Sequence, residues 1–138
     1  NQTALITPLV TQNIAGSDKY VILARPFEFY SVVLKRSITV PFGFVFDYES
    51  IPFIRGYCPE AGCAHDYLCR TDSNPVVSKK VAAQVYFEIL NYIYSLDGDK
   101  DRTWEKIKAR AKYIAVLYAP GYFHKHPAHA TYEEMAGA

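Results

Sequence analysis

The sequence predicts a single α+β domain, residues 1–138, with a small N-terminal antiparallel sheet followed by about three helices. Runs of β-branched and aromatic residues, bounded by turn residues, dominate residues 19–48, and this pattern is typical of short strands with short connections. Apolar residues recur at helical spacing in the second half of the chain. With 138 residues, half of them apolar, the chain is long enough to bury one core and too short for two.

Three runs are predicted to form the sheet. Residues 19–24 (KYVILA) and 27–34 (FEFYSVVL) are the first two, and the third covers residues 38–48. Pro41 and Gly43 interrupt this third strand, so we expect a bulge or a bend there instead of a regular ladder.

The two ends of the chain are predicted to lie outside the sheet and helices. Residues 1–18 mix small polar residues with short apolar pieces, which indicates an extended arm or edge strand. Such an arm pairs either with its own sheet or with a neighbouring molecule, and the sequence leaves both open. Residues 119–138 are predicted to be an irregular tail. Its histidines are better explained as exposed polar residues than as a metal site; they are His124, His126 and His129.

Three helices are predicted from capping residues and apolar periodicity. The first covers about residues 59–69 and begins at a proline, whose missing N–H suits the first helical turn. Ser78 suits the N-cap of the second helix, residues 79 to about 96. The third, residues 104–118, has an apolar stripe opposite a charged face, which is more typical of a solvated surface than of a nucleic-acid site.

Charge and composition exclude some classes of partner. The net charge of +1 gives no electrostatic support for binding nucleic acid, and no apolar run reaches the roughly 18 residues needed to span a bilayer. The chain has 12 tyrosines and 8 phenylalanines. This excess indicates either a partly solvated core or an aromatic surface used in assembly.

The three cysteines are expected to be buried free thiols. Because Cys58, Cys63 and Cys69 are odd in number, at least one is unpaired within the chain. A disulfide between Cys58 and Cys63 is left open by their spacing. The spacing lacks the paired CxxC knuckles of a structural zinc site.

The candidate chemical residues are Asp47, His65 and Asp66, at the junction between sheet and helices. His65 is suited to be a general base or a metal ligand, and Asp47 is the natural acidic partner to orient it. His65 and Asp66 are adjacent, so on a helix their side chains point about 100° apart and are not expected to touch. The structural alternative, which the spacing favours, is that Asp47 and Asp66 cap the turn between them.

Three segments of the chain resemble the DUF1353 family, small proteins of phages and prophages. The segments are VPFGFVFDYESIP (residues 40–52), AHDYLCR (64–70) and SKKVAAQVYFEIL (78–90), and the resemblance covers about residues 38–90. The matching positions are Val40, Pro41, Gly43, Phe44, Asp47, Ser50, Ile51, Pro52, His65, Asp66 and Leu68. The departures are Phe46 in place of the family's threonine, Glu49 in place of a small residue and Ala83 in place of an acidic residue.

The resemblance implies a phage setting more firmly than a reaction. We expect a virion accessory or structural protein of the tail or head-to-tail region, present in several copies among other virion proteins, without cofactor or nucleic acid. Its location would be the virion, or the host cytoplasm before assembly. The Asp47, His65 and Asp66 cluster would then lock the junction.

Two other functions are left open. In the first, the protein is a hydrolase of bacterial cell-wall material, in which Asp47 and His65 bind a divalent metal or activate water and Asp66 orients the surroundings of His65. Ala83 argues against it, because one acidic residue of the expected site is missing. In the second, a prophage protein binds a host partner through a tyrosine-rich face.

Overall fold

The computed structural model describes residues 2–16, 20–47 and 58–96. Within them, six short strands precede two helices. The strands are β1 (Ala4–Leu5), β2 (Thr11–Asn13), β3 (Tyr20–Leu23), β4 (Phe27–Ser31), β5 (Arg36–Val40) and β6 (Val45–Asp47). The helices are α1 (Pro59–Leu68) and α2 (Lys79–Leu96). The α+β class and the first two helices are therefore confirmed, while the predicted third helix and the tail lie outside the described residues.

The strands form two antiparallel sheets instead of the single sheet predicted. One sheet has the order β1-β4-β5 and the other has the order β2-β3-β6. The predicted third strand divides between them, because β5 ends at Val40 and β6 begins at Val45. Gly43 lies in the intervening turn with φ +85°, a conformation that glycine adopts without a Cβ penalty. The predicted bend is thus present, and it transfers the chain from one sheet to the other.

The two sheets nevertheless keep one register across the break. The central strand consists of β3 followed by β4. The pairs that border the break are Leu5–Phe29 and Thr11–Leu23 on one side of this central strand, and Phe27–Val40 and Ile22–Val45 on the other. Counting inward from either sheet places Pro8 opposite Pro26, and Pro26 opposite Pro41. The hydrogen bonds from Ala24 N–H to the Val10 carbonyl (2.8 Å) and from Leu23 N–H to the Phe44 carbonyl (2.8 Å) keep this offset. The hydrogen bonds that Gly43 N–H donates to the Leu23 carbonyl and Phe44 N–H donates to the Pro41 carbonyl belong to the turn between β5 and β6.

These three prolines, the proline row, explain why the sheet divides. Proline has no N–H to donate to a ladder, and it is normally excluded from a central strand. Here Pro26 lies between β3 and β4, Pro8 lies between β1 and β2, and Pro41 lies between β5 and β6. Strands that pass from one sheet to another through such bends form the corner of a folded sheet. The two sheets therefore share the strand order of one three-stranded meander, with the proline row between them.

Residues 2–13, the edge segment, pair with their own sheet. They include β1 and β2, and both strands lie at sheet edges beside the central strand, β3 and β4. Of the two partners that the sequence left open for this segment, the structure has the intramolecular one.

The helices begin where their capping residues predict. Pro59 occupies the first turn of α1, and the helix ends at Leu68, one residue before the predicted end. At α2 the Ser78 hydroxyl accepts a hydrogen bond from the Val81 N–H (3.2 Å), which is the geometry of an N-cap.

The core lies between the sheets and the two helices. α1 packs against α2 and against β5 and β6, while α2 also contacts β4. Small side chains on both helices allow a close approach. The buried residues of the helices include Ala61, Cys63, Ala64, Leu68, Ala82, Ala83, Val85, Tyr86, Ile89 and Leu90. The strands contribute Val21, Leu23, Phe27, Phe29, Ile38, Val40, Phe44 and Phe46.

Candidate functional site

His65 lies inside the core, on the face of α1 that meets α2. Its side chain is only 1% exposed. The Tyr86 ring meets the imidazole edge to face, with 5.9 Å between the ring centroids. The Cys69 sulfur, one helical turn along α1, is 3.5 Å from Nε2 and 4.0 Å from Nδ1. His65 is therefore enclosed by side chains of both helices.

The Cys69 sulfur packs against the imidazole ring and does not lie in line with either nitrogen. A hydrogen bond prefers a nearly linear arrangement in the ring plane, directed outward from the nitrogen. With that geometry at Nε2, Nδ1 would lie on the far side of the ring, much farther from the sulfur than the observed 4.0 Å. The contact is a sulfur–aromatic packing contact, which contributes to cohesion of the core.

Asp66 approaches His65 more closely than expected for adjacent helical residues. Its Oδ1 is 3.7 Å from Nδ1 of His65, within the range of an ion pair and beyond that of a hydrogen bond. Although the Cα–Cβ bonds of His65 and Asp66 diverge, the ends of their side chains turn toward each other. The Asp66 side chain is 20% exposed, so this contact connects the buried imidazole to the helix surface.

The cysteines are buried thiols outside any disulfide, as expected. Cys58, Cys63 and Cys69 form no disulfide, so the pairing of Cys58 with Cys63 that the spacing left open does not occur. Burial raises the pKa of the Cys63 thiol well above its ordinary value, and the negative charges of Asp66 and Glu60 raise it further. Cys63 is consequently protonated and a poor nucleophile.

Asp47 ends β6, where its backbone pairs with Tyr20. Its side chain lies outside the described residues, so the predicted contact between the Asp47 carboxylate and His65 stays a prediction. The family-matching residues 50–52 and the tail histidines also lie outside the described residues, so what was expected of them stays a prediction. Among the residues that the structure does describe, no group of three His, Cys, Asp or Glu side chains is placed to hold a metal ion.

Ala83 is fully buried on α2, one turn before Tyr86. Residues three apart share a helix face, so Ala83 lies on the same face as the ring that contacts His65. In this chain that position carries a methyl group, where the resemblance leads one to expect a carboxylate. α2 therefore presents an apolar surface to α1 at this level.

Arg70 is a buried charge that sequence reasoning missed. It is 4% exposed and makes two hydrogen bonds to Asp72, from Nε to Oδ1 (2.8 Å) and from Nη2 to Oδ2 (3.4 Å). Its guanidinium carbon lies 5.9 Å from the centre of the Phe44 ring. Nearby, the Tyr67 hydroxyl accepts a hydrogen bond from the Asn74 N–H (2.9 Å). Together these contacts fasten the α1–α2 connection to the core.

Glu88 is the second polar residue that the sequence did not single out. Its carboxylate accepts hydrogen bonds from the Ser31 hydroxyl (2.6 Å), the Val32 N–H (2.8 Å) and the Thr3 hydroxyl. Its place off the apolar stripe of α2 was visible in the sequence, but its partners lie far away in the chain. Glu88 joins α2 to the end of β4 and to the edge segment.

The described part of the junction, around His65, is therefore packed within the core and shows no open arrangement of catalytic groups. Neither described helix is long and apolar enough to cross a membrane. Residues 22–116 match a family model described as "Protein of unknown function (DUF1353)". No curated protein and no solved structure is significantly similar to the chain. The match covers more than half of the chain and contains all three motif segments, so the chain belongs to the DUF1353 family.

Proposed function

We propose that the protein is a structural or accessory component of a bacteriophage virion, in the tail or head-to-tail region, assembled in several copies with other virion proteins. It would be present in the host cytoplasm before assembly. The phage setting derives from the family resemblance. The observation that carries the structural role is the enclosure of His65, which is 1% exposed and packed against Cys69 and Tyr86.

A catalytic role for His65 requires access that the described packing does not provide. A general base must come within hydrogen-bonding distance of the proton that it removes. Here the imidazole packs against a sulfur atom and an aromatic ring, Asp66 is the carboxylate beside it, and Ala83 supplies no second carboxylate from α2. A buried polar residue held in this way specifies packing between helices, which supports a structural interpretation of the junction.

Apolar side chains at turns support contacts with other proteins. Phe42, in the turn between β5 and β6, is 68% exposed, and Val32 and Val33 are exposed in the turn between β4 and β5. Aromatic and aliphatic side chains are the usual centres of protein interfaces. These turns are the places where we expect neighbouring virion proteins to bind.

The test is the composition of purified particles. Mass spectrometry and immunolabelling should find the protein at a fixed copy number, at the tail or at the head-to-tail junction. A His65→Phe variant should be incorporated equally well, because the proposal gives the imidazole a packing role. Absence of the protein from purified particles would end the proposal.

The contact between His65 and Asp66 favours a second candidate, a metal-assisted or acid–base hydrolase of cell-wall material. Asp66 Oδ1 lies 3.7 Å from His65 Nδ1, so a carboxylate stands beside the candidate base. Metal analysis and release of peptidoglycan fragments by the wild type and by His65→Ala distinguish the candidates. Equal release by both proteins, with no bound metal, would discard the hydrolase.

A further inference from the structure

The edge segment, residues 2–13, is attached mainly through its backbone. None of these residues is fully buried. Leu5 and Leu9 only border the core, and Ile6 is exposed. Its side-chain anchors include Thr7, whose hydroxyl accepts a hydrogen bond from the Glu28 N–H (2.8 Å), and Thr3, whose hydroxyl donates to Glu88. An element held in this way opens at a lower free-energy cost than the core strands.

Exposing the central strand, which the edge segment covers, would be unfavourable. Its inward side chains are fully or almost fully buried: Val21, Leu23, Phe27, Phe29 and Ser31. Removal of the edge segment would make this strand an unpaired edge, with free backbone donors and acceptors running past the proline row. Such an edge pairs readily with another extended chain. The chain with the most complementary side chains and register is a second copy of residues 2–13.

We infer that the edge segment is exchanged between copies: residues 2–13 of one molecule pair with the central strand of a second, in the register described above. The inference names a partner for the proposed assembly role and rests on that role for its biological setting. Exchange preserves every contact of the edge segment, so the two forms differ mainly in the connection and in concentration. Within one molecule the effective concentration of a tethered segment is on the order of millimolar, so exchange needs the crowding of an assembly.

The connection between the edge segment and the central strand contains a suitable hinge. Gly16 has φ +82°, and no atom lies within 4 Å of the position that a Cβ would take. A side chain at position 16 would therefore be disfavoured only through the backbone conformation, which the closed turn requires and an extended connection does not. Gly16→Val should shift the equilibrium toward exchange by about tenfold.

Disulfide trapping between two single-cysteine variants tests the exchange. Ala4 pairs with Tyr30, and the pairing distance of antiparallel strands lies within the range that a disulfide spans. Ala4→Cys and Tyr30→Cys proteins are mixed at increasing concentration, incubated and then oxidised. Exchange predicts a mixed disulfide dimer whose yield rises with protein concentration. The yield should approach half of its maximum near the millimolar range, where the protein concentration matches the effective concentration of the tethered segment. The native cysteines do not compete in this test, because all three are buried.

The matched control combines Ala4→Cys with Ser37→Cys. Ser37 pairs with Tyr30 from the other side, two strands away from Ala4, and it is exposed. Chance collisions would therefore trap this combination at least as well, while exchange would not bring the two residues together. Equal yields in both mixtures, at every concentration, would overturn the inference. An unchanged yield on adding Gly16→Val to both partners would also overturn it, because the turn would not be the hinge.

This experiment is independent of the particle analysis. Trapping in purified protein without incorporation into particles would retain the exchange and remove the virion role. Incorporation into particles without trapping would retain the virion role and remove the exchange.

Discussion

Replacing Glu88 by alanine should lower the free energy of unfolding by about 3 kcal/mol. The largest share comes from Ser31, which is fully buried and whose hydroxyl loses its acceptor, at about 1.5–2 kcal/mol. The Val32 N–H and the Thr3 hydroxyl are more exposed and regain hydrogen bonds to water, so each contributes about 0.5–1 kcal/mol.

Urea-induced unfolding, followed by far-ultraviolet circular dichroism, measures this loss. Gln84→Ala is the control, because it removes a half-buried polar side chain one turn earlier on α2 and should change stability by less than about 0.5 kcal/mol. A double-mutant cycle of Thr3→Val with Glu88→Ala isolates the contact with the edge segment. We expect a coupling energy of about 0.5–1 kcal/mol in this cycle. A loss for Glu88→Ala no larger than that of Gln84→Ala would refute the role assigned to Glu88.

Three further predictions concern His65, Cys63 and two glycines. His65→Phe should lower the free energy of unfolding by less than about 1.5 kcal/mol, because one aromatic ring replaces another that packs on Cys69 and Tyr86. His65→Ala should lower it by about 2–4 kcal/mol. Urea unfolding of both variants distinguishes a packing role from a requirement for the imidazole. Because the pKa of Cys63 is raised, the folded thiol stays protonated, while the unfolded thiol ionises near its ordinary pKa of 9.0. The contribution of Cys63 to the free energy of unfolding should therefore be intact below pH 9.0. Above that pH it should decline by up to about 1.4 kcal/mol per pH unit. Thermal unfolding between pH 8 and pH 10 (about one unit either side) should show this decline, and Cys63→Ala should show a shallower one. Gly43→Ala should destabilise by about 1–2 kcal/mol through its φ of +85° alone, while Gly62→Ala, inside α1 with open space around it, should stabilise by up to about 1 kcal/mol; equal effects of the two in thermal unfolding would contradict this reasoning.

Local signals in the sequence predicted the two described helices well. Pro59 and Ser78 mark helix starts through the chemistry of a single residue, and the structure begins α1 and α2 at those points. Such signals act over a few residues and do not depend on the rest of the fold. The end of α1 was predicted to within one residue for the same reason.

Pairing between distant segments was harder to predict. Pro41 and Gly43 indicated a bend, but which strand β6 joins depends on residues 20–23, far earlier in the chain. Glu88 hydrogen-bonds to Ser31, 57 positions away, so its sequence neighbours carry no sign of the contact. Arg70 was missed for another reason. Burial of a charge depends on a ring and a carboxylate being placed around it by the tertiary structure.

The proline row also restricts how the length of the chain can vary. Because one register runs through both sheets, inserting a residue into β4 would move Pro26 out of line with Pro8 and Pro41. It would also turn the inward side chains of one sheet toward the solvent. Insertions or deletions should therefore be tolerated in the turn at residues 32–35, outside the paired strands, and rejected between residues 20 and 31. Among relatives of different length, the separation of Pro8 from Pro26 should change only by residues added to the connection at residues 14–19.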